Sequence, residues 1–274
     1  MNKINELKKK TKHIRNQVLD MCVRAGTGHV TSAFSCAEIM VALFYGGILR
    51  LDPKNPEWKE RDRFILSKGH ASVILYPILA DLGYFSEKEL DKFNQEDGIF
   101  GVHLQHDVPG AEITSGSLGH GFGMAAGLAL SAKMSKEKHM VFTLLGDGEC
   151  YEGSVWETAM FASHNRLNNM IAIVDRNHLC VTDFTENIVA LEPMSKKWES
   201  FGWRTANING HSFKEILNAF SGFRSRKDSR PLVIIADTTK GKGVSSISNI
   251  PLWHARAPQG QQAKEAKEEL NKKD

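Results

Sequence analysis

The sequence of 274 residues predicts an α/β fold, with a mainly parallel sheet flanked by helices on both faces. Two observations carry this. Short runs at 64–66, 141–145, 170–174 and 232–236 are apolar, with Thr143 the one exception, and rich in Val, Ile and Leu. Continuous rather than alternating apolar runs are the mark of strands covered on both faces. Helical patterns fall between them, notably at 123–134, 155–167 and 213–223. Alternation of strand and helix implies parallel pairing through crossovers.

The elements follow in order. Ile4, Leu7, Ile14, Val18 and Met21 recur at helical spacing across a polar Thr11, which predicts an amphipathic helix over 4–22. Gly26 and Gly28 end it. Ser35-x-x-Glu38 has the form of a capping box before a helix at 39–49. Ser86-x-x-Glu89 and Ser212-x-x-Glu215 repeat the pattern. The charged end, 261–274, reads as a peripheral helix or frayed tail attached to a domain spanning 1–260. There is no internal repeat and no low-complexity linker.

Composition narrows the function classes. Hydrophobic residues are 41% and charged residues 24%, which excludes a disordered or collagen-like chain. A formal net charge of +3 argues against a whole-protein grip on nucleic acid. No run approaches the ~18 apolar residues of a membrane span, and the basic start lacks the apolar core of a signal peptide. The cysteines Cys22, Cys36, Cys150 and Cys180 form no CxxC pair. They predict reduced thiols and a cytoplasmic protein.

In an open parallel sheet, ligands bind beyond the carboxyl ends of strands. Gly146-Asp147-Gly148 follows the run at 141–145, and Asp175-Arg176-Asn177-His178-Leu179 follows the run at 170–174. Asp147 and Asn177 stand 30 residues apart, a spacing that fits one strand–helix–strand unit. Both offer hard oxygens suited to Mg²⁺. On spacing alone, two tight turns explain the residues as well.

The segment from Gly146 to Asn177 resembles the thiamine diphosphate motif, a Gly-Asp-Gly followed after about thirty residues by an asparagine, in the form found in the transketolase family. Five further segments agree in order: Gly28-His29, RDRFILSKGHAS at 61–72, His103 within GVHLQHDVPGAE, TSGSLGHG at 114–121, and KGKGV through PLWHARAP at 240–258. The resemblance implies a thiamine diphosphate-binding domain. Asp147 and Asn177 would ligate Mg²⁺ (or Ca²⁺ or Mn²⁺ in its place) through side chains, and Leu179 through its carbonyl. Gly148 would admit the diphosphate, and Gly116, Ser117 and Leu118 would line the ring side of the cofactor. His70 and His254 would meet the diphosphate or the reacting carbon. His29, His103 and His254 would face the sugar, and Glu152 a contact between active sites.

Two departures bear on specificity. Val30-Thr31-Ser32-Ala33 stands where small or Pro-Gly residues are common, and Ser117 and His120 resemble the two-chain members of the family. No segment resembles the glutamate that activates the cofactor's aminopyrimidine. The resemblance therefore implies the N-terminal subunit of a split transketolase, active with a C-terminal subunit that carries the pyrimidine domain, as an α₂β₂ heterotetramer. It would move a two-carbon ketol unit from a ketose, phosphorylated or bearing another anion, to an aldose.

Other readings stay open at this point. They are a subunit of a deoxyxylulose-phosphate synthase-like or oxo-acid dehydrogenase-like thiamine enzyme, a non-catalytic subunit, and a dinucleotide-binding oxidoreductase. The last rests on Gly121-x-Gly123-x-x-Ala126 with Asp147 downstream. The small residues Ala125, Ala126, Gly127 and Ala129 suit either burial or a subunit interface.

Overall fold

A computed structural model describes residues 2–225 and 227–272. Five strands form one sheet: β1 Arg63–Leu66, β2 Val141–Gly146, β3 Met170–Arg176, β4 Arg204–Asn209 and β5 Leu232–Asp237, in the order β1-β2-β3-β5-β4. Every pair is parallel, with Phe64 opposite Phe142, Thr143 opposite Ala172, and Ile173 opposite Ile234. All five carboxyl ends therefore share one edge of the sheet.

The helices are α1 Lys3–Ala25, α2 Val30–Ser35, α3 Ala37–Tyr45, α4 Ser72–Leu82, α5 His120–Met134, α6 Gly153–His164, α7 Thr185–Ile188, α8 Met194–Ser200, α9 Phe213–Ala219 and α10 Gly260–Asn271. Successive strand residues point to opposite faces, and two cores result. Phe64, Leu66, Phe142, Leu144, Ile171, Ile173 and Ile234 join side chains of α1, α3, α4 and α9. Ile65, Val141, Leu145, Met170, Ala172, Val174 and Val233 join side chains of α5, α6 and α8. The central strands are apolar, apart from Thr143 and their carboxyl-terminal residues, because both of their faces are covered.

β4 is the strand that the sequence pattern misses. Its residues, RTANIN, are half-buried or exposed throughout, as an edge strand permits, so it has no apolar run to betray it.

The first helix matches its periodicity. Asn2 caps it by accepting from the Ile4 amide, and Gly26 ends it at φ 69°. Thr11 is buried with the apolar residues, because its hydroxyl donates to the Leu7 carbonyl at 3.0 Å. The capping box before α3 does not form. Cys36 holds the N-cap position without a side-chain bond. Ser35 Oγ donates instead to Asp175, while Glu38 takes Arg15 at 2.7 and 2.8 Å and His211 at 2.9 Å. A buried carboxylate needs cationic partners more than a helix start needs a cap. Ser86 and Ser212 do cap, accepting from Lys88 and Glu215 amides. The charged end forms α10, whose Ala266 and Leu270 are buried. It lies along α1, where Lys267 pairs with Asp20.

No strand lies among residues 101–119, so Gly121 and Gly123 open α5 without the preceding strand that a dinucleotide fold requires. Gly121 serves a different need. A Cβ there would stand 2.9 Å from Ser67 Cα, so its lack of a side chain lets α5 start against the end of β1. Ala125, Ala126 and Ala129 are buried inside the chain, whereas Met124, Met160 and Phe161 on α5 and α6 are exposed. None of the described helices is long and apolar enough to cross a membrane.

Candidate active site

The chemistry gathers where the ends of β1, β2, β3 and β5 meet. One cleft of about 70 Å³ is lined by Lys68 and His70 after β1, Asp147 and Gly148 after β2, Asn177 and Leu179 after β3, and Lys240 after β5. Leu118 and His254 complete it. A wider groove of about 930 Å³ lies beside it, toward β4, lined by His178, Asn207, His211 and Asp237. That groove shares Asn177 but contains neither Asp147 nor His70, Lys240 or His254, so the smaller cleft is the candidate site.

Asp147 is 1% exposed. Its Oδ1 accepts from the Gly148 amide at 2.9 Å. Its Oδ2 accepts from the His178 amide at 2.6 Å and from Arg176 Nη1 at 3.0 Å. Burial, with Asp175 nearby, raises its pKa, and the Arg176 guanidinium opposes that. The uncompensated part of this charge makes the carboxylate a receptive place for a cation. Asn177 Oδ1 accepts from the Leu179 amide at 3.2 Å, and the Leu179 carbonyl accepts from Lys240 Nζ at 3.4 Å. The donor set of Asp147, Asn177 and Leu179 is therefore all oxygen, which suits a hard divalent cation. Gly148 lies close under Cys180: a Cβ there would stand 3.2 Å from its sulfur.

Behind this set lies a buried network that the sequence does not announce. Lys68 and Asp175 are fully buried and form an ion pair, and Asp175 also accepts from Ser35 and Thr238. Burial pushes the Asp175 pKa up, and the Lys68 ammonium reverses that, so its net shift is downward. Glu149 is buried as well. It accepts from Ser67, from the Gly119 amide at 2.8 Å and from the Gly146 amide at 3.1 Å. One carboxylate thus joins the ends of β1 and β2 to the loop that carries Gly116, Ser117 and Leu118. The signal for Lys68 was its place inside RDRFILSKGHAS; Asp175, Arg176 and Glu149 flank the residues singled out.

Four histidines distant in sequence converge. The ring of His29 lies 5.3 Å from that of His70, 5.7 Å from His103 and 5.2 Å from His254, centroid to centroid. His70 and His254 are 5.4 Å apart. His103 is exposed and packs over Gly116, where a Cβ would stand 3.3 Å from its ring. Ser117 is exposed and bonds His120 Nδ1 at 3.1 Å. Glu152 is exposed at the start of α6. Three buried polar atoms near this cluster, His29 Nδ1, Ser32 Oγ and Ser115 Oγ, have no hydrogen-bond partner among the described residues. Buried polar atoms without partners are costly, which makes these three candidate ligand contacts. Ser32 and Ser115 were not singled out as site residues, although both lie beside residues that were.

Burial sets the charge of the cluster. It brings His29 down to about 4 and His254 down to about 3, with Lys240 and Lys68 adding to the effect. His70 is held well below its ordinary value, first by burial and then by Lys68. Lys240, whose Nζ lies 2.9 Å from His254 Nδ1, is lowered to about 8 by burial and Lys68. At neutral pH His29, His70 and His254 are therefore neutral imidazoles beside two ammonium groups.

A pH dependence follows. Between the ordinary histidine pKa and these lowered values, the unfolded chain binds protons that the folded chain refuses. Stability is then full above about pH 6.5 and falls as pH drops toward 4. His29 alone is expected to cost about 2 kcal/mol between pH 7 and pH 5. Urea unfolding at both values checks it: His29→Asn should shrink the loss relative to wild type, and an equal loss would contradict the assignment.

Comparison with known proteins agrees with the fold. The family profile "Transketolase, thiamine diphosphate binding domain" matches residues 7–273. An apulose-4-phosphate transketolase subunit of Phocaeicola vulgatus is 36% identical over 259 residues, covering 94% of this chain and 92% of that one. The 6-deoxy-6-sulfo-D-fructose transketolase subunit SqwG of Clostridium sp. is 40% identical over 233 residues, covering 85% and 84%. The crystal structure of transketolase from Campylobacter jejuni superposes with a TM-score of 0.89 at 32% identity, over 98% of this chain and 43% of that one. The chain thus spans the length of single transketolase subunits and about two fifths of a full-length enzyme. It belongs to the transketolase family, as an N-terminal, thiamine diphosphate-binding subunit.

Proposed function

We propose that this chain, completed by a partner subunit, transfers a two-carbon ketol unit from an anionic ketose to an aldose, with thiamine diphosphate held through Mg²⁺ on Asp147, Asn177 and Leu179. The observation that carries the reading is an all-oxygen donor set sharing one cleft with His70 and His254, whose rings pack against His29. The cofactor supplies the carbon nucleophile and electron sink for breaking a carbon–carbon bond beside a carbonyl. The chain supplies charge and orientation. Lys240 and Lys68 stand where a diphosphate would meet positive charge, with His70 and Gly148 beside them. His29 and His254 present neutral rings, and His103 an exposed imidazole, that give or accept hydrogen bonds at sugar oxygens. Gly116, Ser117 and Leu118 would line the ring side of the cofactor, Leu118 from the cleft itself.

Two relatives are named for ketoses bearing a phosphate and a sulfonate. They support a ketose with a distal anion as donor. Both relatives are named as subunits of their enzymes. That supports a partner, here a C-terminal subunit with the pyrimidine domain, in an α₂β₂ assembly. The exposed Met124, Met160 and Phe161 offer apolar surface for it. Four free cysteines support a reducing, cytoplasmic setting.

The test is calorimetric. Asp147→Ala removes the charged ligand and is expected to weaken thiamine diphosphate binding with Mg²⁺ at least ~10-fold in the assembled complex. Unchanged affinity would remove Asp147 from the metal site.

A further inference from the structure

The geometry assigns Arg176 as a positioning residue that ties the proposed metal ligand Asp147 to the chain segment at 185–192. The assignment rests on the reading of Asp147 as a metal ligand.

Arg176 ends β3, and its side chain is only 3% exposed. All three guanidinium nitrogens are used. Nη1 donates to Asp147 Oδ2 at 3.0 Å and to Thr185 Oγ1 at 2.6 Å. Nη2 donates to Glu186 at 2.8 Å, and Nε donates to Glu192 at 3.1 Å. A planar fork with fixed donor directions holds four acceptors at once, which a lysine ammonium on a flexible stem does not reproduce. One of those acceptors is the carboxylate at the end of β2, and the other three belong to the segment beyond the Asn177–Leu179 loop.

That segment is otherwise held by Leu191, which is buried in the core shared with α5, α6 and α8, and by Lys197, which donates to the Ala190 carbonyl at 2.9 Å. Its side chains Ile188 and Val189 are exposed. Apart from Arg176, a side chain from the Asp147 side holds it at one further place: Tyr151 Oη donates to the Thr185 and Val189 carbonyls at 2.8 and 3.0 Å. The Thr185 amide returns to the His178 carbonyl at 2.9 Å, and the His178 amide is itself a donor to Asp147. Asp147 is thus oriented from two sides, by Arg176 and by the His178 amide, and both supports are continuous with the 185–192 segment. Groups that orient a metal ligand are worth about 10–100-fold in metal affinity.

Charge and geometry predict opposite signs, so the two are separable. If Arg176 acted only as a cation beside Asp147, its removal would leave three carboxylates and strengthen cation binding, and a lysine would behave like the wild type. If Arg176 positions Asp147, both changes weaken binding. The experiment titrates thiamine diphosphate with Mg²⁺ into the assembled complex of wild type, Arg176→Lys, Arg176→Gln and Asp147→Ala, and follows amide hydrogen exchange across 185–192 in each. The expected result is a loss of about tenfold or more for both Arg176 variants, with faster exchange in the segment. Wild-type affinity in Arg176→Lys, or tighter binding in Arg176→Gln, overturns the assignment. Asp147→Ala separates the underlying reading, since its failure to weaken binding would fault the metal site and not Arg176. Should the Arg176 variants fail to fold, Glu186→Gln with Glu192→Gln tests the same link from the solvent side, where both side chains are at least 40% exposed. Faster exchange over 185–192 with weaker cofactor binding supports it, and wild-type exchange and affinity overturn it.

Discussion

Replacing His29 or His103 by alanine is expected to lower ketol-transfer turnover by about 10²–10⁴-fold while cofactor affinity stays near that of wild type. The reason is position. Neither ring lines the cleft that holds Asp147, Asn177 and Lys240, whereas His70 and His254 do. His29 sits between those two groups, 5.2–5.7 Å from the rings of His70, His103 and His254. His103 stands at the exposed mouth over Gly116. On the proposed reading, a sugar entering from solvent would meet His103 and then His29. His29 Nδ1 is buried without a partner, so a substrate oxygen would meet a donor or acceptor already free of competition. Steady-state kinetics of the assembled enzyme, with titration of thiamine diphosphate, separate the two effects. A variant that keeps its fold and turnover but loses cofactor binding would move that histidine to the diphosphate side.

By itself the chain is expected to show no ketol transfer and to bind thiamine diphosphate weakly. The cleft at the strand ends encloses about 70 Å³, far below the roughly 300–1,000 Å³ of a pocket that buries a small molecule. The diphosphate end fits the residues present, and the rest of the cofactor would stand in water. The exposed Met124, Met160 and Phe161, together with Val181, Phe184, Ile188 and Val189 beyond β3, are the surfaces on which a partner would exclude that water. Light scattering of the chain with and without its partner, paired with a ketol-transfer assay, gives the result. Full activity from this polypeptide alone would contradict the two-chain reading.

The strongest signals in the sequence were those that burial writes directly into residue type. β2, β3 and β5 lie inside the sheet with both faces covered, so they are apolar at nearly every position until their carboxyl ends, and their runs stand out. The Gly-Asp-Gly turn and its asparagine, the loop at 114–121 and the histidines at 29, 70, 103 and 254 belong to segments whose order along the chain is itself informative. β4 was hidden because an edge strand with half-exposed faces has no such requirement. The serine and glutamate before α3 looked like a cap, yet both were claimed by buried charges elsewhere.

The sequence by itself determined the layered parallel architecture and the family, because these depend on local pattern and on motifs in a set order. The tertiary structure alone decided that four histidines meet, that Lys68 and Asp175 form a buried pair beneath the cleft, and that Arg176 reaches both Asp147 and the 185–192 segment. A lysine or arginine in a sequence has the same composition whether it faces water or a buried carboxylate. Only the crossing of strands at one edge of the sheet brings such groups within hydrogen-bond distance, and only the exclusion of water there makes their charges decide the site.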